Sequence, residues 1–168
     1  MVVTLLDTSV SPFGMRVRIA LEEKGVKYEY SEQTKKAKFG IFQLKNPQFS
    51  FFVCVYFPGR KTWTKKRQEL EVGKNGLIES LRLLEGELGD KPYFEGDKIG
   101  YVDVALIPFC SWFHGYETFA NFSIEAECPR LIAWCKRCMQ NKSVSKSLAD
   151  PQEVYGFLVE LRKKFGLE

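Results

Sequence analysis

The sequence predicts a small α/β segment followed by an all-α region, and three observations carry that prediction. The first thirty residues run as strand, helix and strand. From Gly59 onward, apolar residues recur at helical spacing. Between the two, residues 32–58 follow neither pattern.

Val2-Val3-Thr4-Leu5-Leu6 reads as the first strand. Ser11 is a good N-cap, Pro12 a good first helical residue and Gly25 a natural stop, so a helix is expected from about Pro12 to Lys24. Val17, Ala20, Leu21 and Lys24 are spaced for one face of it. Val26 to Ser31 alternates as a second strand, giving a parallel β-α-β unit that is too small to stand alone and needs more strands.

Lys35, Lys36, Lys38 and the stretch 39–46 show no clean period. Phe49-Ser50-Phe51-Phe52-Val53-Cys54-Val55-Tyr56-Phe57 has high β-propensity and no charge. It reads either as a buried strand or as the translated pyrimidine-rich end of an intron, with true coding resuming near Gly59.

Beyond Gly59 the helices are regular. Leu70, Leu77, Leu81, Leu84 and Leu88 form one stripe, stopped by Gly89 and Pro92. Val102, Leu106, Phe109 and Phe113 form the next, kinked at Pro108, and Asp103 can reach back to the free N–H groups near Gly100. Pro129 opens a helix with Leu131, Ile132, Cys135 and Met139 inside. In the last helix Asp150 caps, Pro151 opens, Glu153 completes a reciprocal cap, Val154, Phe157, Leu158, Leu161 and Phe165 line one face, and Gly166 stops the helix.

Composition narrows the function classes. With 168 residues, 45% hydrophobic and 27% charged, the chain can bury a real core as one domain or two small ones. The net charge of +4 is scattered among acidic residues, so no nucleic-acid partner is expected. No apolar run is long enough to span a bilayer, and no secretory leader is visible, so neither a membrane nor export is expected. The five cysteines lack framework spacing, which points to a reducing, cytoplasmic setting.

Ser11 is the leading chemical candidate. A hydroxyl at a helix N-terminus lies beside free backbone N–H groups and the positive end of the helix dipole, a place to hold an anion such as a thiolate. Taken alone, a serine before a proline is most often just an ordinary N-cap. Cys135-Lys136-Arg137-Cys138, with Cys128 nearby, falls mid-helix without partners, so buried free thiols are expected rather than a metal or redox site. His114 is the lone histidine and has no paired ligand in view. Arg162-Lys163-Lys164 suits a helix C-terminus.

Two blocks carry a resemblance: SPFGMRVRIALEEKGVKYEY within Leu5 to Tyr30, and Gly59 to Glu168 with GRKTW, LEGELGDKPYFEGDKIGYVDVALIPF, ECPRLIAWCKRC and VYGFLVELRKKFGLE. Both resemble the plant tau-class glutathione transferases, over roughly four-fifths of the chain. The resemblance implies a thioredoxin-like glutathione domain followed by an all-helical domain: here residues 1–31 as the partial first domain, 32–58 unmatched, and 59–168 as the helical domain. It implies conjugation of glutathione, a co-substrate, to hydrophobic electrophiles, with no metal and with homo- or heterodimers. By residue, it implies Ser11 as the catalytic group hydrogen-bonded to the glutathione sulfur, with Phe13 beside it. Phe109, Trp112, Tyr116 and Leu161 are implied for the electrophile pocket.

The family places a helix, a cis-proline loop, two strands and a Glu-Ser pair after the second strand, the loop and pair gripping glutathione. Several tens of residues are absent from this stretch, between Gln33 and Gly59, and neither Pro47 nor Pro58 has the loop's context. Glu79-Ser80 lies mid-helix, too far along to serve. Two other classes therefore stand beside the enzyme: a non-catalytic binder of hydrophobic ligands or inactive dimer partner, and a non-functional splice product.

Overall fold

The computed structural model describes residues 3–33 and 49–167, the side chains of 49–53 excepted. Lys35, Lys36, Lys38, the stretch 39–46 and Pro47 lie outside the described residues. Strands β1 (Val3–Asp7) and β2 (Tyr28–Glu32) pair in parallel, Val3 opposite Tyr28 and Asp7 opposite Glu32, with helix α1 (Pro12–Glu23) between them. The expected β-α-β unit is present, and among the described residues its sheet has two strands.

The buried face of α1 differs from the expected one. Met15 and Ile19 are fully buried with Pro12 and Gly14, whereas Val17 is 44% exposed and Lys24 is exposed. The reason is what the helix rests on. It packs on the helical part of the molecule, against α4 (Tyr101–Leu106), the 3-10 turn Ile107–Phe109 and α8 (Lys142–Ser145). On its other side, among the described residues, Ala20 and Leu21 are half-buried.

The strand reading of residues 49–57 is overturned: Phe49–Thr64 is a helix, α2, with Pro58 inside it. β-propensity expresses itself only where a pleated partner exists, and packing overrides it elsewhere. Here α2 lies along α3 (Arg67–Leu88), burying Val55 and Trp63. The approach is close enough that a Cβ on Gly73 would stand 2.4 Å from the Lys61 Cβ, and one on Gly59 would stand 2.7 Å from the Tyr116 ring.

The expected stripes build the rest of the core. Leu77, Leu81, Leu84 and Leu88 of α3 are buried, with Leu70 half-buried. Pro108 sits in the 3-10 turn that separates α4 from α5 (Cys110–Ala120). Short α6 (Ile124–Glu127) leads into α7 (Pro129–Cys138), where Leu131, Trp134, Cys135 and Cys138 are buried. Met139, expected inside this helix, is its C-cap and is 43% exposed. The last helix, α9 (Pro151–Lys164), buries Val154 and Leu158 against α5; Phe165 lies beyond its end, stacked on Trp63 with ring centroids 6.4 Å apart.

Buried carboxylates tie these helices together. Asp103 accepts from Gly100 N at 2.9 Å, as expected, and also from Phe94 N at 3.1 Å and Trp134 Nε1 at 2.8 Å. Glu85 of α3 accepts from Arg130 N at 2.6 Å, capping the free N-terminus of α7 from outside. The cysteine expectation is corrected as well: Cys110 and Cys135 form a disulfide between α5 and α7, while Cys54, Cys128 and Cys138 are free thiols. Spacing could not show this pair, because only the crossing of two helices brings it together.

Candidate functional site

The site is built on the tight turn joining β1 to α1. Ser11 N donates to Thr8 O at 2.8 Å and Ser11 O accepts from Met15 N at 3.0 Å, which fixes the turn and starts the helix. The Ser11 side chain accepts from Gly14 N at 3.3 Å, a long N-cap bond that leaves its hydroxyl proton to donate elsewhere. Ser11 is 6% exposed, so it stands at the floor of this corner rather than on an open surface. Its surroundings are a helix N-terminus of positive partial charge, with no acidic residue in the first turn to compensate it.

A buried ion pair holds the turn in place. Arg18, on the second turn of α1, bonds Asp7 at 2.5 Å, Ser9 O at 2.7 Å and, through Nε, Ser147 O at 3.0 Å. One guanidinium thus fixes the end of β1, the segment before Ser11 and the approach to α9. Burial pushes the Asp7 carboxyl above its usual range, against the opposing pull of the Thr8 amide and Arg18. Gly14 is obligatory here: a Cβ on it would fall 1.8 Å from an Asp7 carboxylate oxygen.

The helical part contributes two further ties. Trp112 Nε1 of α5 donates to Val10 O at 3.1 Å, one residue from Ser11. Ser9 Oγ donates to Glu153 at 2.8 Å, so Glu153 reaches across to the β1–α1 turn in addition to lying in the first turn of α9. Phe13, half-buried, meets the Tyr56 ring of α2 edge-on at 5.4 Å between centroids, and the Arg16 guanidinium lies 5.1 Å from the Phe13 ring centroid. Burial lowers Arg16 to about 10, still cationic at neutral pH.

The structure brings together Ser11, Phe13 and Trp112 of the residues singled out in the sequence. It seats Phe109 and Tyr116, each 1% exposed, deeper in the core: Phe109 among Val55, Leu81, Leu84 and Trp134, and Tyr116 against Trp112 and Gly59. Leu161 is half-buried on α9 against the same core. A separate surface groove on α3, lined by Asn75, Ile78, Glu79, Arg82 and Leu83, shares no residue with this corner. Glu79 and Ser80 sit mid-helix, Ser80 Oγ bonding Gly76 O. Among the described residues no cluster of metal-ligating side chains is found, and no helix is long and apolar enough to cross a membrane.

Arg18, Tyr56 and Arg16 escaped the sequence reading as site residues, and Glu153, expected to complete a reciprocal cap on α9, accepts from Ser9 Oγ instead. Arg16 and Arg18 follow Ser11 closely and carry a legible charge, but which of them turns inward depends on the helix phase against the helical part. Tyr56 had no signal, because its place depends on α2 being a helix.

Two family models match the chain: the glutathione S-transferase N-terminal domain over residues 5–50 and the glutathione S-transferase C-terminal domain over residues 67–137. A probable glutathione S-transferase, parA, of Nicotiana tabacum is 42% identical over 214 residues, covering 98% of this chain and 97% of the relative. Glutathione S-transferase U19 of Arabidopsis thaliana is 43% identical over 212 residues, covering 97% of each. Both alignments are several tens of positions longer than this chain of 168 residues. Among solved structures, rice GST1 in complex with glutathione superposes with a TM-score of 0.85 at 31% identity, over 96% of each chain. The tau-class glutathione S-transferase of mango shares the fold, with a TM-score of 0.79 at 21% identity over 94% of this chain and 97% of its own.

Proposed function

This chain belongs to the glutathione S-transferase family, among relatives of the plant tau class, and from that premise we propose that it conjugates reduced glutathione to hydrophobic electrophiles in the cytoplasm. The single observation that carries the reading is Ser11: a hydroxyl with a proton to donate, at the N-terminus of α1, held by the Thr8 turn and the Arg18 network. The hydroxyl donates to the glutathione sulfur, and the helix N-terminus adds positive potential. Lowering a thiol pKa from about 8.5 by ~2 units takes ~2.7 kcal/mol of preference for the thiolate, the order that one charge-assisted hydrogen bond and a helix end supply. The thiolate then attacks an electrophilic carbon and the leaving group departs with the electron pair. On this reading Phe13 and Trp112 flank the reacting sulfur and Leu161 closes the apolar side, a reading supported by the Trp112 bond to the Val10 carbonyl beside Ser11; Phe109 and Tyr116, each 1% exposed, back that wall from the core.

The test is steady-state conjugation to an aryl halide, with calorimetric titration of glutathione. Ser11→Ala should lower kcat/KM by about 10- to 100-fold, the value of one hydrogen bond to a charged sulfur. Ser11→Thr should recover part of it. Unchanged turnover in Ser11→Ala would refute the assignment.

A second reading has its own observation. The alignments exceed the chain by several tens of positions, and we read no stretch of the sequence after Gln33 as the family's cis-proline loop and Glu-Ser pair. On this reading the chain is a non-catalytic partner of intact relatives. Folded protein that gives no heat with glutathione but associates with an intact relative would establish it over the enzyme.

A further inference from the structure

We propose that Cys110 and Cys135 form a reversible dithiol–disulfide couple that responds to the balance of glutathione and glutathione disulfide, and that its oxidation fastens α5 to α7. The two residues are 25 apart in sequence on different helices, with Cα atoms 6.1 Å apart, inside the range a disulfide spans without backbone movement. The crossing of α5 and α7 sets this separation, which distinguishes the pair from a lone cysteine.

The surroundings make the pair selective. Cys110 is half-buried at the start of α5, where a small thiol can approach it, and Cys135 lies behind it at 7% exposure. Besides exposed Cys54 on α2, the remaining free thiols, Cys128 and Cys138, are fully buried, and burial pushes them up to about 11 and about 12. Their thiolate population at neutral pH is small, so they neither start exchange nor intercept it.

The chemistry closes without any further oxidant. The Cys110 thiolate attacks one sulfur of glutathione disulfide, forming a mixed disulfide and releasing one glutathione thiolate. The Cys135 thiolate then attacks the Cys110 sulfur, forming the protein disulfide and expelling the second glutathione thiolate. The two protons lost by the cysteines are taken up by the two glutathiones, and excess glutathione runs the sequence backward. In a reducing cytosol such a pair cycles rather than standing as a permanent staple. Its mechanical consequence falls on α5, whose Trp112 bonds the Val10 carbonyl beside Ser11. The proposal rests on the geometry of the pair and not on the conjugating activity, so it stands or falls separately.

The experiment equilibrates the purified full chain across a series of glutathione to glutathione disulfide ratios, quenches with acid, alkylates and maps peptides by mass spectrometry. A cross-linked Cys110–Cys135 peptide should rise with the disulfide fraction and vanish under excess glutathione. Thermal melting of the oxidised form should lie about 5–10 °C above the reduced form. Cys110→Ser and Cys135→Ser should each abolish the shift, and Cys138→Ser should keep it. Absence of the cross-linked peptide at every ratio overturns the proposal. So does a glutathione adduct that persists on Cys110 without closure, or a Cys135–Cys138 link in its place.

Discussion

Replacing Arg18 by methionine tests the network beneath Ser11 most directly. The substitution keeps much of the side-chain volume and removes three bonds, to Asp7 at 2.5 Å, Ser9 O at 2.7 Å and Ser147 O at 3.0 Å. Both side chains of the ion pair are under a tenth exposed, at 9% for Arg18 and 8% for Asp7. Removing one member of such a pair leaves the other buried and uncompensated, at a cost of about 3–5 kcal/mol. For a chain of this length that lowers Tm by roughly 6–20 °C. Circular dichroism melts of the wild type, Arg18→Met, Asp7→Leu and the double variant provide the assay. The double variant removes the stranded charge, so it should be no less stable than Arg18→Met alone. The pH dependence has a definite sign. Burial already raises the Asp7 carboxyl above its unfolded value, and losing Arg18 raises it further. The folded variant therefore holds the Asp7 proton to higher pH than the unfolded chain does. Its stability is fully retained below the unfolded carboxyl pKa and is lost as pH rises through the folded one. The gap between wild type and Arg18→Met should accordingly be narrower near pH 4 than near pH 7. A loss below about 1 kcal/mol, or a double variant whose loss is the sum of the two singles, would refute the reasoning.

Two more outcomes are expected. Asp103→Ala strands Phe94 N, Gly100 N and Trp134 Nε1, and its urea midpoint should fall by an amount equivalent to about 3–5 kcal/mol; Asp103→Asn, which keeps one acceptor oxygen, should lose clearly less. In native protein, a bulky maleimide should label exposed Cys54 within minutes, while Cys128 and Cys138, buried and pushed up to about 11 and about 12, should react only on unfolding, as read by intact-mass spectrometry.

The sequence by itself determined what is local and periodic. A serine before Pro12 and a glycine at position 25 bound α1, because capping is settled within one turn of the chain. The leucine stripe of α3 and the Asp103 cap were legible for the same reason. Ser11 as the N-cap of α1 follows in the same way, and the thiolate-holding role proposed for it is built on that placement. Tertiary structure decided whatever depends on which surfaces meet. The run from Phe49 becomes helix because α3, rather than another strand, lies beside it. The buried face of α1 shifts from Val17 to Met15 and Ile19 because the helix rests on α4 and α8 more than on its narrow sheet. Arg18, Glu153 and Trp112 converge on the Ser11 turn from three separate elements, and Cys110 meets Cys135 only where α5 crosses α7. Spacing along a chain encodes contacts within a helix turn or a strand repeat. The distance between residues on different helices is set by packing, which no periodicity records.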